Sequence, residues 1–165
     1  MAAPVNPSTL GTFINATFWD TEIYDRWVAL YSSWTSYTPT WTGSTSNPSL
    51  GNGTITAAYK RADATAKTVT VRIRLTAGST TSFGSGQWSF SLPSGLVPVT
   101  PQGIAGHILD ASSSNRYACT AYVTNTSSGI VERIAVNGSL GVSGTIPMTW
   151  AVSDQLLLSG TYEIS

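Results

Sequence analysis

The chain has 165 residues, 10% of them charged, and its eight Lys and Arg balance eight Asp and Glu to a formal net charge of zero. That length suits one main domain with a small appendage and a core that needs no covalent staples. The neutral balance excludes the basic surface that nucleic-acid phosphates require, and the single cysteine, Cys119, excludes an intrachain disulfide or a cysteine-based metal site.

The opening, MAAPVNPSTLG, has neither a basic region nor an apolar run, so it does not read as a signal peptide. No apolar stretch reaches the length of a membrane span, and no membrane insertion is expected. Four N-x-S/T triplets, at Asn15, Asn52, Asn125 and Asn137, are what chance supplies in a chain this rich in Ser and Thr.

Residues 8 to 34, STLGTFINATFWDTEIYDRWVALYSSW, form an N-terminal helical segment (1–34) distinct from the rest. Ser8 or Thr9 is a candidate helix cap, and Gly11 and Asn15 predict a break before a clearer helix from Thr17. Ile23, Trp27, Leu30 and Trp34 recur at spacings of four, three and four, which places them on one helical stripe. Asp20 and Glu22 sit near its start, where the helix dipole favours acids. So short a helix is marginal alone. Its stripe must be covered either by the domain that follows or by copies of itself, for which the spacing fits an a/d seam.

From residue 35 the period changes to two. TVTVRIRLTA (68–77) alternates Val69, Val71, Ile73 and Leu75 against Thr70, Arg72 and Arg74. It is predicted to pair with TITAAYKR (54–61) as a hairpin. QWSFSLP points Trp88, Phe90 and Leu92 inward. IAGHILDA, RYACTAYVT, IVERIAVNG, IPMTWAVS and QLLLSGTYEIS read as further short strands, with turns at 125–129 and 137–139. Tyr37 and Trp41 read as one strand face, and Asn47 to Gly53 as a loop. The expected fold is mainly β: an antiparallel β-sandwich, jelly-roll-like, over 35–165, preceded by the helical segment.

Residue types that do chemistry are sparse. His107 is the only histidine, and its alternation between apolar neighbours favours a structural role. No nucleophile-elbow, zinc, EF-hand or P-loop spacing occurs, so no catalytic residue, metal or cofactor is assigned and the chain does not read as an enzyme. The carboxylates lie singly, against the paired arrangement a glycosidase uses. Cys119 reads as a buried strand residue. Arg72 and Arg74 face the polar side of their strand, as a solvated face, an interface salt bridge or a reader of an acidic ligand. Trp41, Trp88 and Trp150 are candidates for sugar stacking, with core packing preferred for the last two. Phe83, alone among small residues in GSTTSFGSG, is the candidate surface-contact residue.

The runs WTSYTPTWTGSTSNPSLGNGTITAAYKR and VTVRIRLTAGSTTSFGSGQWSFSLP resemble a β-domain of tailed-bacteriophage virion proteins, especially of actinobacterial phages. There the Y-T-P-x-W entry, the NP-x-LGNG loop and the GSTT-x-FG-x-G-x-W-x-FSLP segment occur together. LGTFINATFWDTEIYDRWVAL is similar to the helical leader that precedes such domains, but more aromatic through Phe18, Trp19 and Tyr24. The matched motifs cover about residues 10 to 93. The resemblance implies a virion structural protein of minor tail, tail-fibre or head-fibre type. It further implies a homotrimer with Ile23, Trp27, Leu30 and Trp34 as its seam, docked to other virion proteins through the N-terminal segment. A tail-tip or fibre role would add attachment to a host cell-surface glycan. The alternative is a capsid decoration or head-fibre protein that stabilises or ornaments the head.

Overall fold

The computed structural model describes residues 19–62, 66–124, 130–136 and 141–165. A π-helical turn, Trp19–Tyr24, leads into α1, Asp25–Tyr31. Among the described residues nine strands follow: β1 Thr35–Tyr37, β2 Trp41–Gly43, β3 Thr54–Arg61, β4 Thr68–Thr76, β5 Trp88–Ser91, β6 Gln102–Leu109, β7 Arg116–Val123, β8 Ile130–Val136 and β9 Gln155–Glu163. The proposed caps at Ser8 and Thr9, the break near Asn15 and the turns at 125–129 and 137–139 lie outside the described residues.

All pairings are antiparallel, in the order β1-β3-β4-β9-β6-β7-β8-β5-β2. The expected hairpin of β3 and β4 forms with Ala57 opposite Ile73. The two edge strands, β1 and β2, are consecutive in sequence, separated only by Thr38, Pro39 and Thr40. Laid flat, nine strands would hold their edges roughly 38 Å apart. The four Cα steps from Tyr37 to Trp41 span at most about 14 Å. The sheet must therefore roll until its edges nearly meet. Tyr37 and Trp41 do not share one strand, as their spacing suggested. Pro39 lacks the N–H a continuing ladder needs, and the chain crosses there from one edge to the other.

With β1 and β2 taken as one interrupted strand, the order is two successive Greek keys. In the first, β5 returns beside β2 while β3 and β4 follow β1. In the second, β9 returns beside β6, ahead of β7 and β8. A roll wrapped from one long hairpin would pair its first strand with its last. Here β9 lies between β4 and β6, and β1 pairs with β3.

Alternation places one face of every long strand inside. Val69, Val71, Ile73 and Leu75 of β4 meet Leu156, Leu158 and Tyr162 of β9, Ile104 and Ile108 of β6, and Trp88 and Phe90 of β5 in one core. IPMTWAVS is not a ladder strand. Ser143 and Ile146 bridge each other, Pro147 removes a donor, and Trp150 is delivered into the core with its Nε1 donating to the Ile146 carbonyl at 3.3 Å.

Candidate interaction surface

The aromatic candidates for sugar stacking belong to the core. Trp88 is fully buried, Trp150 and Trp41 nearly so. Trp41 and Trp150 each lie 4.8 Å from Trp88 between ring centroids. Phe83 joins them rather than standing free. It is half-buried, its ring 6.1 Å from Trp88 and 6.3 Å from Trp150, and its carbonyl accepts the Trp88 Nε1 hydrogen at 3.0 Å. Small neighbours let the loop fold Phe83 down; they do not display it.

The hydroxyl-rich loops have a similar answer. Residues 44–53 and 78–87 zip together, with bridges between Ser46 and Ser85 and between Ser49 and Ser82. Thr81 Oγ1 donates to the Leu50 carbonyl at 2.7 Å, and Ser44 Oγ accepts from the Gln87 amide at 3.0 Å. Gly84 has φ +59, and a Cβ there would meet the Ser46 carbonyl. Asn52 spends its side-chain amide on Ser79 Oγ at 2.9 Å. These side chains stand in for ladder partners that irregular backbone would otherwise lack.

The titratable groups are likewise held separately. His107 is half-exposed on the outer face, and its Nε2 accepts from Arg116 Nη1 at 3.2 Å, since a guanidinium only donates. Asp110 accepts from the amides and hydroxyls of both Ser112 and Ser113, and the two hydroxyl bonds above all hold its carboxyl down at about 2. A His107–Asp110–serine relay is thus not assembled. Asp154 is buried and accepts from the amides of Ala111 at 2.8 Å and Ala151 at 2.6 Å, tying two turns together. Burial pushes the Cys119 thiol up to about 11, as a buried strand cysteine requires. Among the described residues no three His, Cys, Asp or Glu side chains gather as metal ligands, and no described helix is long and apolar enough to cross a membrane.

What remains open is the outer face of β3, β4, β9 and β6 and the helical segment beside it. Register sets Ser36, Ala58, Arg72 and Ser159 in one cross-strand row and Thr56, Arg74, Leu157 and His107 in the next. Small side chains flanking two arginines leave a depression of about 460 Å³, which continues past Leu157 toward His107. Arg74 donates to Gln155 Oε1 at 3.1 Å. Arg72 lies under the Trp34 ring, 4.4 Å from its centroid.

The expected seam is only partly one stripe. The helix stops at Tyr31, where Ser32 and Ser33 follow, and the chain extends to pair β1 with β3. Trp34 therefore leaves the stripe and packs on Arg72. Ile23 is half-buried, while Trp27 and Leu30 are 55% and 54% exposed. Trp19, Tyr24, Val28 and Tyr31 are also more than half exposed, and Trp27 stacks on Tyr31 at 5.7 Å. Lys60 Nζ donates to the Leu30 carbonyl at 2.6 Å, pinning the helix end to the β-domain.

Sequence reading missed Lys60 and Leu157. Leu157 had a signal: three leucines in a row on an alternating strand force the middle one outward. The Trp34–Arg72 contact had none, because it depends on where the helix ends. Comparison with protein-family models, curated proteins and solved structures finds no match for this chain.

Proposed function

We propose that this chain is a structural protein of a tailed-bacteriophage virion that assembles through its N-terminal segment as a homotrimer. One observation carries the assembly: six large apolar side chains, Trp19, Tyr24, Trp27, Val28, Leu30 and Tyr31, are more than half exposed within thirteen residues. Such a patch marks a surface that another protein covers. The virion context rests on the motif set described above. The NP-x-LGNG and GSTT-x-FG-x-G segments are in contact in the folded chain, which gives their joint occurrence a physical basis.

Within this reading the rolled antiparallel sheet, with its two Greek keys in place of the expected jelly-roll pairing, is the module of a tail-tip or fibre appendage, and it reaches toward a host-surface glycan. Phe83 is not offered as the glycan contact, since it packs on Trp88 and Trp150. A capsid decoration or head-fibre role is the second reading. It is favoured by a β-domain that follows the helical segment directly, with no shaft between them in the described residues.

Labelling purified virions with an antibody to the β-domain separates the two. Label at the tail end supports attachment; label over the head makes the protein a decoration. A solution mass of one subunit at micromolar concentration overturns the assembly itself. Ile23→Asp is expected to weaken that assembly by placing a charge in a half-buried apolar position.

A further inference from the structure

We propose that the outer-face groove of β3, β4 and β9 is the receptor for the aromatic helical segment of a second copy of this chain. This rests on the proposed assembly and names its surface: helix against the neighbour's sheet, rather than helix against helix.

Register shows where the chain's own helical segment meets the sheet. β1 runs antiparallel to β3 with Thr35 opposite Tyr59, so a chain's own helical segment enters at the Lys60 end of the sheet. Trp34 reaches Arg72, opposite Ala58, and the Leu30 carbonyl is already held at Lys60. The next row, Thr56–Arg74–Leu157–His107, lies further from that entry point.

The two surfaces are complementary. The groove offers the half-exposed Leu157 and small walls at Ser36, Thr56 and Ser159, with Arg72 and Arg74 at its rim and no carboxylate among its described lining residues. The helical segment offers the exposed acids Asp20 and Asp25 beside Trp27 and Tyr31. Trp34 on Arg72 shows within one chain the contact that a second copy would repeat at Arg74: an aromatic ring over a guanidinium, worth most when water is excluded. Arg74 faces solvent, with its one described bond to Gln155. A ring can cover it without breaking a buried ion pair.

The test co-expresses two single-cysteine-added chains, Val28→Cys on the helix and Leu157→Cys in the groove. The native Cys119 is buried, out of reach of both. Expected are a mixed disulfide between Val28→Cys and Leu157→Cys chains under mild oxidation and an oligomer in the unmodified protein. Arg74→Glu should weaken self-association by at least about tenfold, because a like charge would face the helix acids. Disulfides between Val28→Cys chains alone, with Arg74→Glu associating as the unmodified protein does, overturn this surface and leave the assembly standing. A one-subunit mass for the unmodified protein overturns both.

Discussion

Asn52 and Thr80 close a reciprocal pair across the two loops. Asn52 Oδ1 accepts both the Thr80 amide, at 2.9 Å, and the Thr80 hydroxyl, at 3.0 Å, while Thr80 Oγ1 accepts the Asn52 amide at 2.9 Å. Neither loop makes a continuous ladder, so this pair does locally what strand pairing does elsewhere. Asn52→Ala is expected to lower stability by about 1–2 kcal/mol, since these bonds face solvent. Chemical denaturation reads it as a lower midpoint at unchanged slope. No change in midpoint would mean that water replaces the asparagine fully.

Asp154 should matter more. Its two oxygens each take one part-buried backbone amide, and Asp154 itself is almost fully inaccessible. Asp154→Asn leaves one amide facing an N–H₂ group, at an expected cost of about 2–4 kcal/mol. Thermal unfolding of this variant beside Asn52→Ala ranks the two directly. A smaller loss at Asp154 would contradict the burial.

Tyr37 predicts the opposite sign. Its hydroxyl is buried without a hydrogen-bond partner among the described residues, while its ring packs edge-on against Tyr59. Tyr37→Phe keeps the ring and removes the unsatisfied group, so stability should hold or rise by up to about 1 kcal/mol. A clear loss on denaturation would reveal a partner for that hydroxyl.

Alkaline pH should destabilise the domain in a defined window. Burial raises the Cys119 thiol from 9.0 to about 11 and raises the Tyr37 and Tyr162 hydroxyls as well. Each folded form holds its proton more tightly than the unfolded chain does. The stability this represents is complete below about pH 9, and Cys119's share is lost as pH climbs toward about 11. Cys119→Ala should flatten the stability curve between those values relative to the unmodified protein. An unchanged slope would mean that the thiol is not desolvated in the folded state.

Strand identity was legible wherever alternation and hairpin turns coincided. TITAAYKR with TVTVRIRLTA, and the inward Trp88, Phe90 and Leu92, follow directly from period two. Long-range order was not legible. That β9 sits between β4 and β6 depends on which edges remain after the Greek keys form, and local pattern carries no record of it. The interaction surface was half legible. Arg72 and Arg74 stood out as outward cations, and Trp27 as an apolar helix residue. Trp34 misled because a heptad-like spacing continued past the residues where the helix stops. Phe83 misled because isolation in sequence is not isolation in space.

The position of β9 also sets the order of events during folding. It makes nine residue pairs with β4 and five with β6, and among the described strands it alone joins the two Greek keys on that side. Its partners lie far back in sequence, so these contacts close long loops and form slowly. Until β9 arrives, β4 and β6 each present an unpaired edge, and the nascent chain carries two templates for mispairing with its neighbours. A ribosome-stalled chain lacking β9 is therefore the form in which chaperone demand should peak. Insertion of that one strand seals both edges at once.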